Sequence, residues 1–490
     1  MVTTAPDQAG LRLSSSRGRW VLLACVLGSG LAGIDATAVN IALPAIGADL
    51  DADFASLQWV VTAYSLTLAA LILVGGAYGD RYGRRRIFTI GIAWFAAASL
   101  LCALAPNAAL LIAARALQGV GGALLTPASL AIIQASFTKE DRSRTVGAWA
   151  GFSGVATAVA PFIGGWLLEL GWRWVFLINP PLAVAVVAIV VRHVPETRNT
   201  TAPGGVDLTG AVLGFLGLGG LTYAAISAPQ EGATSPVVIA TGIGGLAAVA
   251  GFVAWERAAR HPMLPLRLFS SRQFSGANAV TFAVYAALYG FLFLLVIGLQ
   301  TVTGFSPLVA GTALLPITVL VLLLSEQSGK LAQRIGPRLQ MTLGPLVCTA
   351  GLLMTLRLDT DSHYLTDVLP AMTVFGLGLA IMVAPLTASV LAAAPDENAG
   401  IASGVNNAVA RAAGLFAVAT LPALTGLTGR AYEDPTMFLE SYRASVWLCA
   451  VGLVVGAILA ALTISDCAVR PHHARLGYHH VRQRSPMVSC

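Results

Sequence analysis

Charge is what this chain has least of. Charged residues fill 11% of its 490 positions and hydrophobic residues 56%. Ordinary soluble domains carry about 25% charge. With a mean hydropathy of +0.77, a soluble globular fold is excluded. Lysine is almost missing, present only as Lys139 and Lys330, so arginine supplies the basic charge. Beside abundant Ala, Gly and Val, that points to a GC-rich bacterial genome. The six cysteines form no CxxC pair. Cys25, Cys102, Cys348 and Cys449 lie in apolar runs and Cys467 and Cys490 near the end, so no disulfide framework is implied. No Walker P-loop is present, which removes direct ATP drive. No alternating pattern supports a β-barrel. No polar segment is long enough for a signalling domain or a receptor ectodomain.

What is present is a series of solid apolar runs, each about long enough to cross a bilayer. Backbone groups in hydrocarbon must be satisfied within the segment, so the runs are expected to be helices. Fourteen spans are expected, near 20–43, 58–79, 87–105, 109–134, 146–168, 174–191, 208–227, 236–255, 276–302, 308–329, 339–357, 367–391, 403–427 and 443–464. The net charge of +6 is not a nucleic-acid signal. With both termini cytoplasmic, most of the basic residues fall inside, as positive-inside bias requires. The first span is too long for a signal-peptide core and is expected to remain.

A charged run, Gly76-Ala77-Tyr78-Gly79-Asp80-Arg81-Tyr82-Gly83-Arg84-Arg85-Arg86, separates spans two and three. A fainter copy returns as Gly329-Lys330-Leu331-Ala332-Gln333-Arg334-Ile335-Gly336-Pro337-Arg338. Gly119-Val120-Gly121 before Pro127 is likewise echoed by Gly376-Leu377-Gly378 before Pro385. Paired halves are a common plan for secondary transporters. The expected organisation is a cytoplasmic tail (1–19), a six-helix bundle (20–192), a linker with two extra spans (193–272), a second six-helix bundle (273–464) and a cytoplasmic tail (465–490). His472, His473, His479 and His480 in that tail read as part of a disordered basic segment. No metal site is expected.

Few charges lie inside spans, and each is costly there, at least about 2.5 kcal/mol for an unpaired arginine. Asp35 stands nine residues before Pro44, where span one is expected to end, or about 13 Å deep. Arg115 lies about 10 Å into span four from the same side. The two share a depth, within reach of pairing. A carboxylate that changes partners between conformations can carry a proton; a fixed structural pair is the alternative. Glu326 lies four residues before Lys330, and a surface i,i+4 pair is its simplest reading. Arg411 shares a helical face with Ser403 and Asn407. The sequence does not choose between a pathway stripe and a contact with the opposite half's loop. Asn40, Tyr64, Gln118, Tyr285, Tyr289, Glu326, Asn407 and Arg411 are candidate pathway residues. Tyr64, Trp59, Tyr285 and Tyr289 are able to stack on an aromatic or cationic drug; lipid-interface anchoring or packing is the simpler reading for each one singly.

On these motifs the chain resembles the major facilitator superfamily and, within it, the fourteen-span drug:proton antiporters. Gly76, Asp80, Arg81, Gly83, Arg84 and Arg85 match the signature loop between spans two and three. The resemblance implies that this loop gates the cytoplasmic side, with only the first copy carrying the acid. Physically, Asp80 is able to sit against a neighbouring helix N-terminus. Arg115 through Gly122 matches the signature in which the arginine takes part in proton coupling. Leu31 through Pro44, with Asp35, resembles the first-span signature. Gly154, Pro161, Gly164 and Gly165 resemble the span-five signature of exporters, with Ala160 departing from the usual glycine. The resemblance implies an all-α major facilitator fold, two six-helix bundles plus two central helices. It implies a monomeric, proton-driven exporter of drugs or antibiotics in the bacterial inner membrane, without cofactor or nucleic-acid partner and not an enzyme. Export of an antibiotic producer's own product is a natural subcase. The alternative is a proton-coupled importer of a sugar, peptide or amino acid.

Overall fold

The computed structural model describes residues 10–198, 206–394, 399–429 and 431–466. The histidines of the C-terminal tail lie outside them. In chain order the helices are α1 (Ser16–Leu50), α2 (Phe54–Tyr82), α3 (Arg84–Ala103), α4 (Ala108–Ser136), α5 (Lys139–Leu170), α6 (Arg173–Leu177), α7 (Asn179–His193), α8 (Leu208–Glu231), α9 (Pro236–Ala258), α10 (Arg272–Thr301), α11 (Pro307–Thr312), α12 (Leu315–Ile335), α13 (Pro337–Met354), α14 (Leu369–Ala392), α15 (Ala399–Thr425) and α16 (Pro435–Thr463). No strand forms among the described residues, only an isolated bridge between Leu11 and Phe137. Thirteen helical segments are long and apolar enough to cross a membrane, with α6–α7 and α11–α12 each counting as one. Helix α5, 32 residues with an apolar stretch over Val159–Leu170, supplies the fourteenth. Large apolar side chains such as Leu101, Val184, Leu365 and Leu462 point outward, as a hydrocarbon solvent permits.

Helix α1 corrects one boundary. It does not stop at Pro44 but runs on to Leu50, where Asp51 closes it in the left-handed conformation (φ 50°). A proline costs one backbone bond, and packed transmembrane helices tolerate that loss. The extra turns are buried at Ile46 and Gly47. Asp35 is therefore about 22 Å from the end of its helix, not about 13 Å.

The repeat in the sequence is a repeat in packing. Small residues let membrane helices approach closely. A Cβ on Gly121 would meet the Phe95 backbone nitrogen of α3 at 2.7 Å, and one on Gly378 would meet the Cys348 nitrogen of α13 at 2.5 Å. Two residues earlier, Gly119 faces the backbone of Tyr64 in α2 and Gly376 that of Ile317 in α12. The echoed glycines thus seat α4 and α14 between equivalent neighbours.

The halves meet along two sides, α2 against α15 and α5 against α11 and α12. At the end of the bundle carrying Asp53, expected to be the outer face, side chains tie them together. Gln58 Nε2 donates to the carbonyls of Val418 (2.6 Å) and Ala419 (3.3 Å), and Gln300 Nε2 to that of Ile41 (3.0 Å). Tyr432 donates its hydroxyl to Ala52 O at 2.9 Å. The extra hairpin α8–α9 lies beside the first seam. Helix α8 packs on both α2 and α15, with Trp59 against Tyr223 (ring centroids 6.2 Å apart) and Gln230 donating to Asp53. Helix α9 packs mainly on α8 and is largely exposed to the surroundings.

Gly121→Ala and Gly378→Ala should each cost about 1–3 kcal/mol through overpacking. Gly244, where a Cβ meets nothing within 4 Å, should accept alanine without loss. Thermal unfolding of the purified variants in detergent reads the difference; equal midpoints for all three would contradict the shared packing.

Candidate functional site

Helices α1 and α4 bring Asp35 and Arg115 together in the interior of the first half. Arg115 Nη1 donates to Asp35 Oδ2 at 2.5 Å, and the side chains are 1% and 0% exposed respectively. The rest of the site satisfies what this pair leaves over. Arg115 Nη1 also donates to Gln118 Oε1 (2.5 Å), and its Nε to the Val60 carbonyl of α2 (3.0 Å). Gln118 Nε2 donates to Asp35 Oδ1 at 2.8 Å and Asn179 Nδ2 donates to the same oxygen at 3.0 Å. Both amides also reach Ser99 Oγ, at 2.7 and 3.2 Å. The Arg115 guanidinium lies over the Tyr64 ring, 4.4 Å from its centroid, with Phe176 at 5.9 Å. Six elements, α1, α2, α3, α4, α6 and α7, therefore converge on one ion pair. Desolvating two charges costs several kcal/mol each, and only close geometry with further hydrogen bonds compensates.

Asn179 and Ser99 were not among the sequence candidates. Their signal was available, since polar side chains inside an apolar run need partners. What was not available was which helices would be neighbours.

The other candidates separate into distinct places. Gln118 and Tyr64 were expected along a pathway, but both are buried against the ion pair. Glu326 forms the surface i,i+4 pair expected of it. It accepts from Lys330 Nζ at 2.6 Å, with side-chain exposures of 76% for Glu326 and 68% for Lys330. Trp59 packs on α8. Asn40 is half-buried in α1, and its Oδ1 has no protein partner. Tyr285, Tyr289, Asn407 and Arg411 do come together, lining a cavity of about 260 Å³ between α10, α14 and α15.

In α5, Gly164 faces Ala38 of α1, where a Cβ would approach Cα to 3.0 Å, while Gly165 faces Leu308 of α11 at 2.5 Å. Pro161 lies against Gly311 of α11. The motif thus makes one contact within its half and two across the seam. Gly154 lies within α5, but its packing falls outside the described side chains.

The charged loop is built differently from expectation. Asp80 accepts from Arg84, Nε at 2.9 Å and Nη2 at 2.7 Å, within the loop itself. The carboxylate at the α3 N-terminus is that of Glu196, just beyond α7, which accepts from the Arg85 and Arg86 backbone nitrogens at 3.1 and 3.2 Å. Gly83, at φ 111°, leaves room for it, since a Cβ would meet Glu196 Oε1 at 2.7 Å. Arg81 lies over the Tyr82 ring at 5.6 Å, and Gly76 faces Pro127 of α4. The second copy, which lacks an acid at Gln333, receives one from Asp466, just beyond α16. Asp466 Oδ1 accepts from the Arg338 nitrogen at 3.1 Å beside Gly336 (φ 89°). Each half thus places a carboxylate from beyond its last helix on a helix N-terminus, where negative charge is favoured.

Comparison with known proteins decides the family. The model of the Major Facilitator Superfamily matches residues 25–418. The chain belongs to that superfamily. It is a membrane transporter by family and fold, not an enzyme. Among curated relatives, the methylenomycin A resistance protein of Bacillus subtilis is 34% identical over 91% of this chain and 96% of its own. The puromycin resistance protein pur8 of Streptomyces alboniger is 36% identical over 87% and 86%. The multidrug resistance protein Stp of Mycobacterium tuberculosis is 36% identical over 79% and 72%. A bacterial homologue of the human lysosomal transporter Spinster, solved inward-facing and unoccupied, superposes with a TM-score of 0.67 at 18% identity, covering 94% of this chain and 100% of its own. That likeness speaks to the fold alone.

Asp35→Ala should destabilise this transporter by about 3–5 kcal/mol, because it leaves a buried arginine uncompensated. Adding Arg115→Met should recover part of the loss. Thermal unfolding of the two single variants and the double variant checks this; strictly additive losses would mean that the charges do not depend on one another.

Proposed function

We propose that the protein is a proton-coupled exporter of drugs or antibiotics in the bacterial cytoplasmic membrane. It acts as a monomer with both termini inside and needs no cofactor. The observation that carries this reading is the buried Asp35–Arg115 pair, in a chain whose relatives are named for antibiotic and multidrug resistance. In this reading Asp35 is the proton carrier. A proton arriving from the Asp53 face neutralises the carboxylate and weakens its hold on Arg115, Gln118 and Asn179. Helices α1 and α4 are then free to shift against each other. Helix α1 transmits the shift to the second half, because Ile41 accepts from Gln300 of α10 and packs on Gly311 of α11. Rocking of the halves gives alternating access to a site between them. Each proton entering gains about 2.3 kcal/mol per 100 mV of membrane potential.

The test is transport by the purified full chain in proteoliposomes, with labelled puromycin, lincomycin and methylenomycin A and an imposed pH gradient. At least one compound should accumulate against its own gradient, and a protonophore should abolish the accumulation. Movement only down the compound's gradient, indifferent to pH, would sink the coupling.

A further inference from the structure

The two arginines deep in this bundle are treated in opposite ways. The Arg115 guanidinium is saturated by a carboxylate, an amide oxygen, a backbone carbonyl and an aromatic face. Arg411 lies twelve residues into α15, about 18 Å from the helix start. Its Nε is buried without a protein partner, and among the described residues no acid pairs with it. An arginine keeps its charge under all working conditions. The cavity around it carries Tyr285 and Tyr289 on α10 and Ser403 and Asn407 on α15, and its lining includes no Asp or Glu. The acids inside the spans that had been sequence candidates are committed elsewhere, Asp35 to Arg115 and Glu326 to Lys330.

The aromatic wall is set by packing. The rings of Tyr285 and Tyr289 lie 6.0 Å apart at 43°. Tyr289 rests on α15 one turn beyond Arg411, where a Cβ on Gly414 would meet its Cδ2 at 2.6 Å. Tyr64 of the opposite half is not part of this lining and covers the Arg115 guanidinium instead, 4.4 Å from its ring centroid.

We infer that the cavity between α10, α14 and α15 is a substrate subsite selecting an aromatic compound that bears an anionic group, with Arg411 as its counter-charge. A carboxylate or phenolate matches the planar fork of a guanidinium. The tyrosines supply the apolar faces, and Ser403 and Asn407 supply neutral hydrogen-bonding groups. A cationic drug meets the same sign of charge here and is disfavoured. This deepens the transport reading above and rests on it for the word substrate.

Equilibrium binding separates the two. The purified full chain in nanodiscs is titrated, without any gradient, with labelled 2-naphthoate and with the cation 2-naphthylmethylammonium. The anion should bind saturably and at least tenfold more tightly. Arg411→Gln should lose at least tenfold for the anion and bind the cation more tightly than the wild type does, because the like charge is gone, while Arg411→Lys should keep part of the preference. Equal affinities, a preference for the cation, no saturable binding of the anion, or an Arg411→Gln variant with unaltered anion affinity would each overturn the inference. The wild-type comparison needs no variant to fold. Failure here leaves proton coupling untouched, and a failure of gradient-driven transport leaves the binding preference standing.

Discussion

A charge in hydrocarbon must be answered, and the first half of this protein is arranged around one answer. Asp35 and Arg115 each remove the desolvation cost of the other only while they stay in contact. Gln118, Asn179 and Ser99 take up the remaining hydrogen-bonding capacity, and Tyr64 covers the cation. Because these groups come from five elements, weakening the pair loosens several helices at once. A proton is the smallest agent able to do that. The same rule makes Arg411 conspicuous: it is half-buried midway along α15, and no acid among the described residues answers its charge.

The pseudo-symmetry of the halves is structural before it is functional. The echoed glycines seat α4 and α14 against matching neighbours, and each basic loop receives a carboxylate on the helix that follows it. The ion pair has no copy. Gly121 and Gly378 hold equivalent places, but the second half has no pairing like Asp35 with Arg115 among its described residues. One half thus holds the buried ion pair and the other presents the cavity.

Much of this was legible in the sequence. Apolar run length sets the spans because the bilayer fixes how long a helix must be. The pairing of Asp35 with Arg115 was expected and is present, although the depth that suggested it was measured from Pro44 and α1 runs on to Leu50. What was not legible was sideways placement. Depth along a helix is one-dimensional, so Gln118 and Tyr64 looked as suited to a pathway as Arg411 did. Only the packing of α2 against α4 turned them toward the pair. Glu196 and Asp466 were hidden for a different reason. They cap helices distant in sequence, while Asp80, inside the motif, looked like the obvious acid and instead bonds Arg84. Pro44 misplaced the end of α1 because a buried, packed helix absorbs a proline that a solvated one would not.

The central claim is that Asp35 is where proton and substrate movements are joined. The direct measurement is proton flux and substrate exchange in the same vesicles, for the wild type and for Asp35→Asn. The account predicts that the variant still exchanges labelled for unlabelled substrate across the membrane but moves no protons with it. Substrate-driven proton movement that survives in Asp35→Asn would contradict it.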